Sequence, residues 1–399
     1  MTTAGNGGHD NGPNADIIII GGGIAGLWLH VHLNDLGYSC LLIERDALGG
    51  GQTLASQGMI HGGIKYTLAG ATTGASEAIA DMPDLWRACL RGEGPVDLRH
   101  ASLLSGDYFM FSDGSATSKL TGFFGSRALR GRVTAVPPGE RPPALDHEGF
   151  RGNVYRLQDI VLDAVSLVTA LRDQYPDRIC RADVVPDMAG NRLEGLTTAC
   201  GQTLTARHYL LCAGAGNEAL LDAMKMTSVS TQRRPLKQVY VASAKLPDLY
   251  AHAVSLRAGS KPRMTITTHH RDDGMPVWYL GGAIAEDGAA MGDEALIART
   301  RTELGALFPW LDLGDARYAL LPIDRAEPGQ AEKQRPDTPF AKRVGNIQVC
   351  WPTKLTLTPA LANDVIRQLD PEPTGALVLP NLPQPDIAPP PWETLDFHA

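Results

Sequence analysis

A glycine-rich run directly after an apolar segment is the first feature of this sequence that could do chemistry. Residues 21–26 read GGGIAG, which satisfies G-x-G-x-x-G, and they follow the run DIIII. The backbone N–H groups of such a loop, with the positive end of the helix that follows, can hold a pyrophosphate. Glu44 ends the next apolar segment, about where an acidic side chain would bind an adenosine ribose. The pattern predicts a dinucleotide site that suits NAD or FAD.

A second loop distinguishes the two cofactors. Residues 49–66 read GGGQTLASQGMIHGGIKY and come soon after Glu44. Glycines and small hydroxyl-bearing residues make a chain thin enough to pass close to a flat ring, which an NAD domain does not usually need. The loop therefore favours FAD. The rival interpretation, an NAD-dependent dehydrogenase, predicts a colourless protein, whereas FAD predicts a yellow one.

Longer stretches resemble the D-amino-acid oxidase (DAO) superfamily of FAD-dependent oxidoreductases, namely IIIIGGGIAGLWLHVHLNDLGYSCLLIE and TLASQGMIHGG. Farther along, ARHYLLCAGAGNEALL is similar to that family's late flavin-domain strand with its Ala-Gly turn, and TKLTLTPALA is similar to its C-terminal strand-to-helix motif. The resemblance implies an FAD-dependent oxidoreductase. It also implies an α/β fold in which a Rossmann-like FAD-binding domain is interleaved with a mainly antiparallel β-sheet substrate domain.

The resemblance also assigns residues to the cofactor. The glycines of residues 21–26 would bind the pyrophosphate, and Glu44 would bind the ribose. The residues near Thr53 would lie along the phosphates and the ribityl chain. The helix near Pro359 would direct its positive N-terminus at the flavin N1 and C2 oxygen, where negative charge accumulates on reduction. The implied FAD-binding residues are Gly21, Gly23, Ile24, Ala25, Gly26, Glu44, Arg45, Gln52, Thr53, Ser56, Gln57, Gly58, Met59, Val184, Ala213, Gly214, Lys354, Leu355 and Thr356.

Two branches of the superfamily compete for the substrate. HGGIKY at 61–66 and TKLT at 353–356 resemble the flavin-linked glycerol-3-phosphate dehydrogenase and 2-hydroxy acid dehydrogenase branches, although Lys65 stands where arginine is usual and lacks its two-pronged geometry. RPDT at 335–338 resembles instead the R-P-x-T segment of the amine-oxidising branch, in which Arg335 would bind a carboxylate. The first resemblance is the closer one, so a 2-hydroxy acid or polyol phosphate is the expected substrate and an amino acid or amine is the alternative. Both branches imply a small anionic molecule.

The implied chemistry is hydride transfer from substrate carbon to flavin N5, while a base removes a hydroxyl or ammonium proton. A histidine has a suitable pKa. His270, which with His269 ends the run RMTITTHH, is one candidate, and His61 in the second loop is another. The alternative for His269 and His270 is that they face solvent without a catalytic role. The alternative for His61 is a hydrogen bond that supports the backbone. The predicted catalytic and substrate-binding residues are Lys65, Tyr66, His270, Arg325, Arg335 and Lys354.

Three alternatives stay open at this point. Arg325 could pair with Asp324 or Glu327 as a structural ion bridge. The chain could be a flavin-binding subunit or sensor without a free substrate, which a charge-neutral pocket would favour and a cationic pocket would not. The electron acceptor could be oxygen, a quinone or a partner protein.

The elements that must position these residues are readable from local patterns. We expect a strand, a helix over 24–36 with Gly37 as its stop, and a second strand. A helix is expected from Ile160 to Leu171, and another that Thr358 caps, with Pro359 in its first turn. The expected domains are a disordered lead-in (1–15), an FAD-binding domain (16–80, 151–225 and 344–370), a substrate domain (81–150 and 226–343) and a proline-rich, extended or disordered tail (371–399).

Composition excludes several classes. The formal net charge is −8 and no block of Lys and Arg is dense, so nucleic acid is not an expected partner. No segment approaches the roughly 20 apolar residues of a membrane span, and the amino terminus lacks the features of a signal peptide. We therefore expect a cytoplasmic protein. The six cysteines have no metal-ligand spacing, so they are expected to be free, buried thiols, and no metal is expected.

Overall fold

The computed structural model describes residues 14–63, 79–112, 133–254, 262–331, 334, 336–370 and 372–399. The predictions for Lys65, Tyr66 and Arg335, and for most of the lead-in, lie outside these residues.

A mostly parallel sheet forms the first layer. Its strand β1 (Ala15–Ile20) is buried along its whole length and pairs in parallel with two neighbours. Continuous apolar runs such as ADIIII suit strands that are covered on both faces. Within the described residues its spatial order is β19 (Phe340–Val344), β20 (Ile347–Trp351), β13 (Ala206–Leu211), β1, β2 (Cys40–Glu44) and β9 (Ile179–Arg181).

Helices pack against this sheet and against the second, antiparallel one. The predicted helix after the glycine loop is α1 (Ile24–Asp35), and Gly37 follows it with a φ of +92°, which only glycine adopts easily. The described helices that follow are α2 (Met82–Leu90), α3 (Ala164–Arg172), α4 (Gly216–Ala223), α5 (Ala283–Gly288), α6 (Asp293–Leu307), α7 (Thr358–Ile366) and α8 (Pro391–Thr394), with 3₁₀ turns at Pro143–Leu145, Pro176–Arg178 and Leu355–Leu357.

Two helix starts differ from the prediction. The helix expected from Ile160 begins at Ala164, because β8 (Ile160–Leu162) pairs with β3 (Met59–Ile60) and Asp163 then caps the helix. Thr358 does not cap α7 but is its first residue.

An eight-stranded, mainly antiparallel sheet forms the second layer. It contains the runs QVYVA and MTITTHH as strands, whereas the run VWYLGGAIA leaves its strand after Gly281 and continues into α5. Among the described strands the spatial order is β18 (Arg317–Pro328), β14 (Thr231–Ala242), β17 (Pro276–Gly281), β16 (Met264–His270), β15 (Ala251–Val254), β5 (Tyr108–Ser112), β7 (Val154–Leu157) and β6 (Val133–Ala135). Two smaller sheets combine β10 (Val184–Ala189), β11 (Arg192–Thr198) and β12 (Thr203–Leu204), and β3, β8 and β4 (Leu103–Ser105).

The fold class predicted from the sequence is confirmed, a parallel α/β sheet joined to an antiparallel sheet. The domain limits stay a prediction. Two strands near those limits belong to the sheet of the other expected domain. β7, expected in the FAD-binding domain, lies in the antiparallel sheet, and β19, expected mostly in the substrate domain, lies in the mostly parallel sheet. Both cross the expected limits because pairing depends on distant partners.

The tail is extended, as expected, but it is packed rather than free. Trp392 is 3% exposed, Leu48 pairs with Ile387, and Tyr318 pairs with His398. One cysteine also departs from the prediction, because Cys200 lies exposed in a turn. No helix in the described ranges is long and apolar enough to cross a membrane. The described His, Cys, Asp and Glu residues form no cluster able to hold a metal ion.

Candidate functional site

One large cavity lies at the carboxyl ends of the parallel strands. Its volume is about 1350 Å³, above the roughly 300–1,000 Å³ usual for a small-molecule pocket. The loops after β1, β2, β13 and β20 line one side, and residues of β14, β16, β17 and β18 line the other. In open α/β sheets, ligands bind outside the carboxyl ends of the strands. The cavity therefore lies where the sequence motifs predict a dinucleotide.

The glycine loop after β1 fits closely against its neighbours. A Cβ on Gly21, whose φ is +110°, would lie 2.6 Å from the Cα of Ala213. A Cβ on Gly26 would collide with the carbonyl oxygen of Gly21, so this glycine lets α1 pack closely on the loop. The Gly22 N–H donates to the Glu44 carboxylate at 2.6 Å. These contacts hold the loop in one shape with its backbone beside the cavity.

A second loop, residues 48–58, lies between the two sheets. Towards the parallel sheet, Thr53 Oγ1 accepts a hydrogen bond from the Ile24 N–H at 3.0 Å, at the start of α1. The Gly49 N–H donates to the Gly22 carbonyl at 2.9 Å. The two glycine-containing loops are therefore joined directly.

Antiparallel strands hold the other side of loop 48–58. The Ala55 carbonyl accepts from Gln238 Nε2 at 2.8 Å and from the Tyr279 hydroxyl at 3.0 Å. Gln57 Nε2 donates to the Tyr279 carbonyl at 3.0 Å and to the Thr265 carbonyl at 3.2 Å. Loop 48–58 thus connects the two sheets at the cavity.

The HGG and KLT motifs meet at the same cavity. Thr356 Oγ1 accepts from the His61 N–H at 3.1 Å, and Trp86 Nε1 donates to the Thr356 carbonyl at 3.1 Å. The Gly62 N–H donates to Asp159 Oδ1 at 2.8 Å, and both His61 and Asp159 are buried. A buried histidine, a carboxylate and a threonine therefore surround one backbone segment.

Two ion pairs lie on the wall formed by β14 and β18. Arg234 binds the buried Glu327 through two hydrogen bonds, each 2.7 Å long, and these raise the pKa of Arg234 above its usual range. Beside it, Arg325 Nη1 lies 3.4 Å from Glu286 Oε1 on α5. All four side chains line the cavity. The wall therefore carries both signs of charge.

Comparison with known proteins matches this architecture. The family model DAO, FAD dependent oxidoreductase, matches residues 16–340. The chain belongs to the DAO family. A probable FAD-dependent oxidoreductase of Pseudomonas aeruginosa is 48% identical over 385 residues, covering 95% of this chain and 98% of that protein. The crystal structure of the FAD-dependent oxidoreductase from that organism has a TM-score of 0.84 at 43% identity, covering 95% of this chain and 98% of that one.

More distant DAO-type structures share the fold. Glycine oxidase from Geobacillus kaustophilus has a TM-score of 0.62 at 16% identity and covers 92% of this chain and 98% of its own. L-alpha-glycerophosphate oxidase from Mycoplasma pneumoniae, solved with FAD bound, has a TM-score of 0.64 at 14% identity and covers 92% and 99%. The predicted family, oxidoreductase class and FAD cofactor are confirmed. The paired charges of the described wall do not form the cationic pocket expected of an enzyme, but the family match shows that this DAO-family chain is an enzyme rather than a sensor.

The cavity of this DAO-family enzyme fits FAD. Gly21, whose φ of +110° and close contact with Ala213 leave no room for a side chain, shapes a glycine loop that borders the cavity before α1, an arrangement that can hold a pyrophosphate. The same cavity extends to Val184 at the start of β10 and to His61 and Thr356. Such a length suits a dinucleotide better than a compact ligand.

Most predicted FAD residues lie at this cavity, although their contacts with FAD stay a prediction. Gly26 and Gly58 do not line it, because each allows close packing instead: a Cβ on Gly58 would collide with the Leu162 carbonyl. Glu44 lines the cavity while also accepting from Gly22 and Asp46. The predicted residues that line the cavity are Gly21, Gly23, Ile24, Ala25, Glu44, Arg45, Gln52, Thr53, Ser56, Gln57, Met59, Val184, Ala213, Gly214, Lys354, Leu355 and Thr356.

The predicted catalytic residues divide between cavity and surface. Arg325 and Lys354 line the cavity, and Lys354 Nζ lies 3.8 Å from an oxygen of the Asp337 carboxylate. His270 does not line it: it is the last residue of β16, and its side chain is 48% exposed and lies 3.4 Å from Asp248. His269 is buried instead, and burial lowers its pKa to about 3. The structure therefore corrects the placement of His270.

Sequence reasoning missed several cavity residues. Arg234, Glu327 and Glu286 were not selected, and neither was Gln238. The alternation in TQRRPLKQ, which places Gln232, Arg234 and Gln238 on one face of β14, was the available signal. It could not show which face borders the cavity.

Proposed function

We propose that this enzyme oxidises a small substrate that carries a carboxylate, and that Arg325 binds that carboxylate. Bound FAD supplies the hydride acceptor, flavin N5. The observation that carries the proposal is the position of Arg325 on the cavity wall opposite the glycine loop, in the cavity that Tyr279 and loop 48–58 also line. Burial raises the pKa of Tyr279, and the charge of Arg325 offsets part of that rise. A guanidinium binds a carboxylate through two parallel N–H groups.

The charge balance of the wall favours some substrates over others. Arg234 is paired with Glu327 and Arg325 with Glu286, so the described wall offers little net charge to a dianionic polyol phosphate. Glu286 beside Arg325 would suit the ammonium group of an amino acid. An amino acid is therefore our first candidate and a 2-hydroxy acid the second.

His61 is our candidate for the proton acceptor in place of His270. It is buried, lines the cavity and lies on the segment that binds Thr356 of the KLT motif. A positioned general base contributes typically 10²- to 10⁴-fold to the rate. Replacing His61 with Gln is therefore expected to slow flavin reduction by at least about 100-fold.

The test is anaerobic reduction of the bound flavin across a panel of small anions. The panel contains amino acids, 2-hydroxy acids and glycerol phosphates, and bleaching of the visible band is followed by stopped flow. We expect an amino acid to bleach the flavin fastest. Arg325→Met should raise the half-saturating concentration of that substrate roughly 10- to 100-fold, the value of a lost charged hydrogen bond.

Arg299 provides a matched control for Arg325. Its side chain is 31% exposed against 30% for Arg325, and it also pairs with carboxylates, but it lies outside the cavity lining. Arg299→Met should leave the half-saturating concentration unchanged. Equal effects of the two substitutions, or a flavin that no member of the panel reduces, would contradict the proposal.

A further inference from the structure

The carboxyl-terminal residues 386–398, here called the strap, bind loop 48–58 at one end and the antiparallel sheet at the other. At one end, the Leu48 N–H donates to the Asp386 carbonyl at 2.8 Å, and the Ala388 N–H donates to the Leu48 carbonyl at 3.0 Å. At the other end, Tyr318 of β18 and His398 exchange two backbone hydrogen bonds of 2.7 and 2.9 Å. The strap therefore joins loop 48–58 to the antiparallel sheet.

The first contact reaches the glycine loop through Leu48. Leu48 is fully buried, and its side chain fills the space beside Gly22, where a Cβ would lie 2.5 Å from Leu48 Cδ2. A Cβ on Gly50 would likewise lie 3.4 Å from the Cβ of Ala388. The strap thus packs behind the residues that border the cavity on the phosphate-binding side.

The second contact reaches loop 48–58 through two side chains. Trp392 is buried and stacks on His269, with ring centroids 4.0 Å apart and planes 21° from parallel. His269 Nε2 lies 3.1 Å from Thr267 Oγ1, and Gln57 Nε2 donates to the same oxygen at 3.4 Å. Trp392 therefore holds the His269 ring in place, and His269 in turn contacts Thr267. Thr267 is one of the groups that hold Gln57 against the antiparallel sheet.

We propose that the strap is a positioning element of the FAD site, and that Trp392 acts on loop 48–58 through His269 and Thr267. Eight residues of loop 48–58 line the cavity, so a shift of the loop moves the groups that would surround FAD. The family match ends at residue 340, so the strap lies outside the part of the chain that it covers. The proposal concerns cofactor binding and does not depend on the substrate.

The test compares variants of the full-length, FAD-loaded protein at 20 °C. The dissociation constant of FAD is measured from flavin fluorescence on release, and the visible flavin spectrum is recorded with each variant. Trp392→Ala should weaken FAD binding at least about tenfold and change the fine structure of the flavin band. Trp392→Phe, which retains an aromatic ring on His269, should stay within about threefold of the parent protein.

Two further variants separate positioning from general packing. Leu379→Ala changes a tail residue that is 50% exposed and outside the strap, so it should change neither readout. Thr267→Val removes the hydroxyl and keeps the shape of the side chain, so it should weaken FAD binding about three- to tenfold even if Trp392→Ala fails to fold. FAD affinity and flavin spectrum unchanged in Thr267→Val would overturn the proposal, as would a folded Trp392→Ala protein with unchanged FAD affinity.

Discussion

The glycines of the loop at the cavity are required for different physical reasons. Gly21 is required by its backbone conformation and by the nearness of Ala213, whereas Gly26 is required by helix packing. Both belong to one G-x-G-x-x-G pattern. One pattern of glycines therefore combines two steric requirements, the shape of the loop at Gly21 and the packing of α1 at Gly26, and substitutions should separate the two.

Gly21→Ala should reduce FAD affinity by at least about 30-fold. A φ of +110° disfavours any side chain, and a Cβ 2.6 Å from Ala213 forces the loop to move, which together cost more than about 2 kcal/mol. Equilibrium dialysis against FAD measures the change. Gly305→Ala on α6, where nothing lies within 4 Å of the added Cβ, should keep FAD affinity and gain about 0.5–1 kcal/mol of stability. Retention of parental affinity in Gly21→Ala would refute the role of this loop.

At the scale of elements, strand β1 is anchored at its start by a buried carboxylate. The tail segment near Thr374 folds back onto Asp16, which is 1% exposed and also accepts from the Ser39 N–H. Burial alone would raise the pKa of Asp16. Hydrogen bonds from the Thr374 hydroxyl and from the Ser39, Thr374 and Gly375 N–H groups outweigh it and lower the pKa to about 2.

Acid should therefore weaken the contact between β1 and the tail. Because the folded pKa lies below the ordinary value of 3.8, the stabilisation is present above that value and is lost as pH falls towards about 2. Asp16→Asn should lose about 1–2 kcal/mol at pH 7 and differ little from the parent near pH 2. Urea unfolding at both pH values measures this.

Asp97 is the matched control for Asp16. Its pKa is also lowered to about 2, first by the Arg99 side chain, but the Asp97 side chain is 37% exposed and that of Arg99 is 63% exposed. Asp97→Asn should cost less than about 0.5 kcal/mol at pH 7. Equal losses at the two positions would show that burial of Asp16 has no special effect.

At the scale of the whole molecule, the cavity lies between two sheets that meet through loop 48–58 and the strap. FAD would contact residues of both sheets, so its binding should stabilise their association. With free FAD at about 100 times its dissociation constant, linkage predicts about 2.7 kcal/mol of added stability. We expect the melting temperature of the holoprotein to exceed that of the apoprotein by roughly 3–6 °C in calorimetry. An apoprotein that melts at the same temperature would contradict a cofactor site shared by the two sheets.

The sequence by itself determined what depends on short segments of chain. The run ADIIII, the glycine loop, Glu44 and the stop at Gly37 predicted a strand, a turn, a helix and a cofactor, because backbone conformation and apolar patterning act over a few residues. The motif order predicted the family and FAD. By contrast, the start of α3 was predicted wrongly, because its first apolar residues pair with a distant strand.

Only the tertiary structure decided which distant side chains meet. Arg234 and Glu327 are 93 residues apart in sequence, yet they form one ion pair on the cavity wall. His270 lies outside the cavity while its neighbour His269 stacks on Trp392 of the tail. Neither contact can be predicted from the neighbouring sequence. Alternation along a strand defines its two faces, but the packing of the other sheet and of the tail decides what each face contacts.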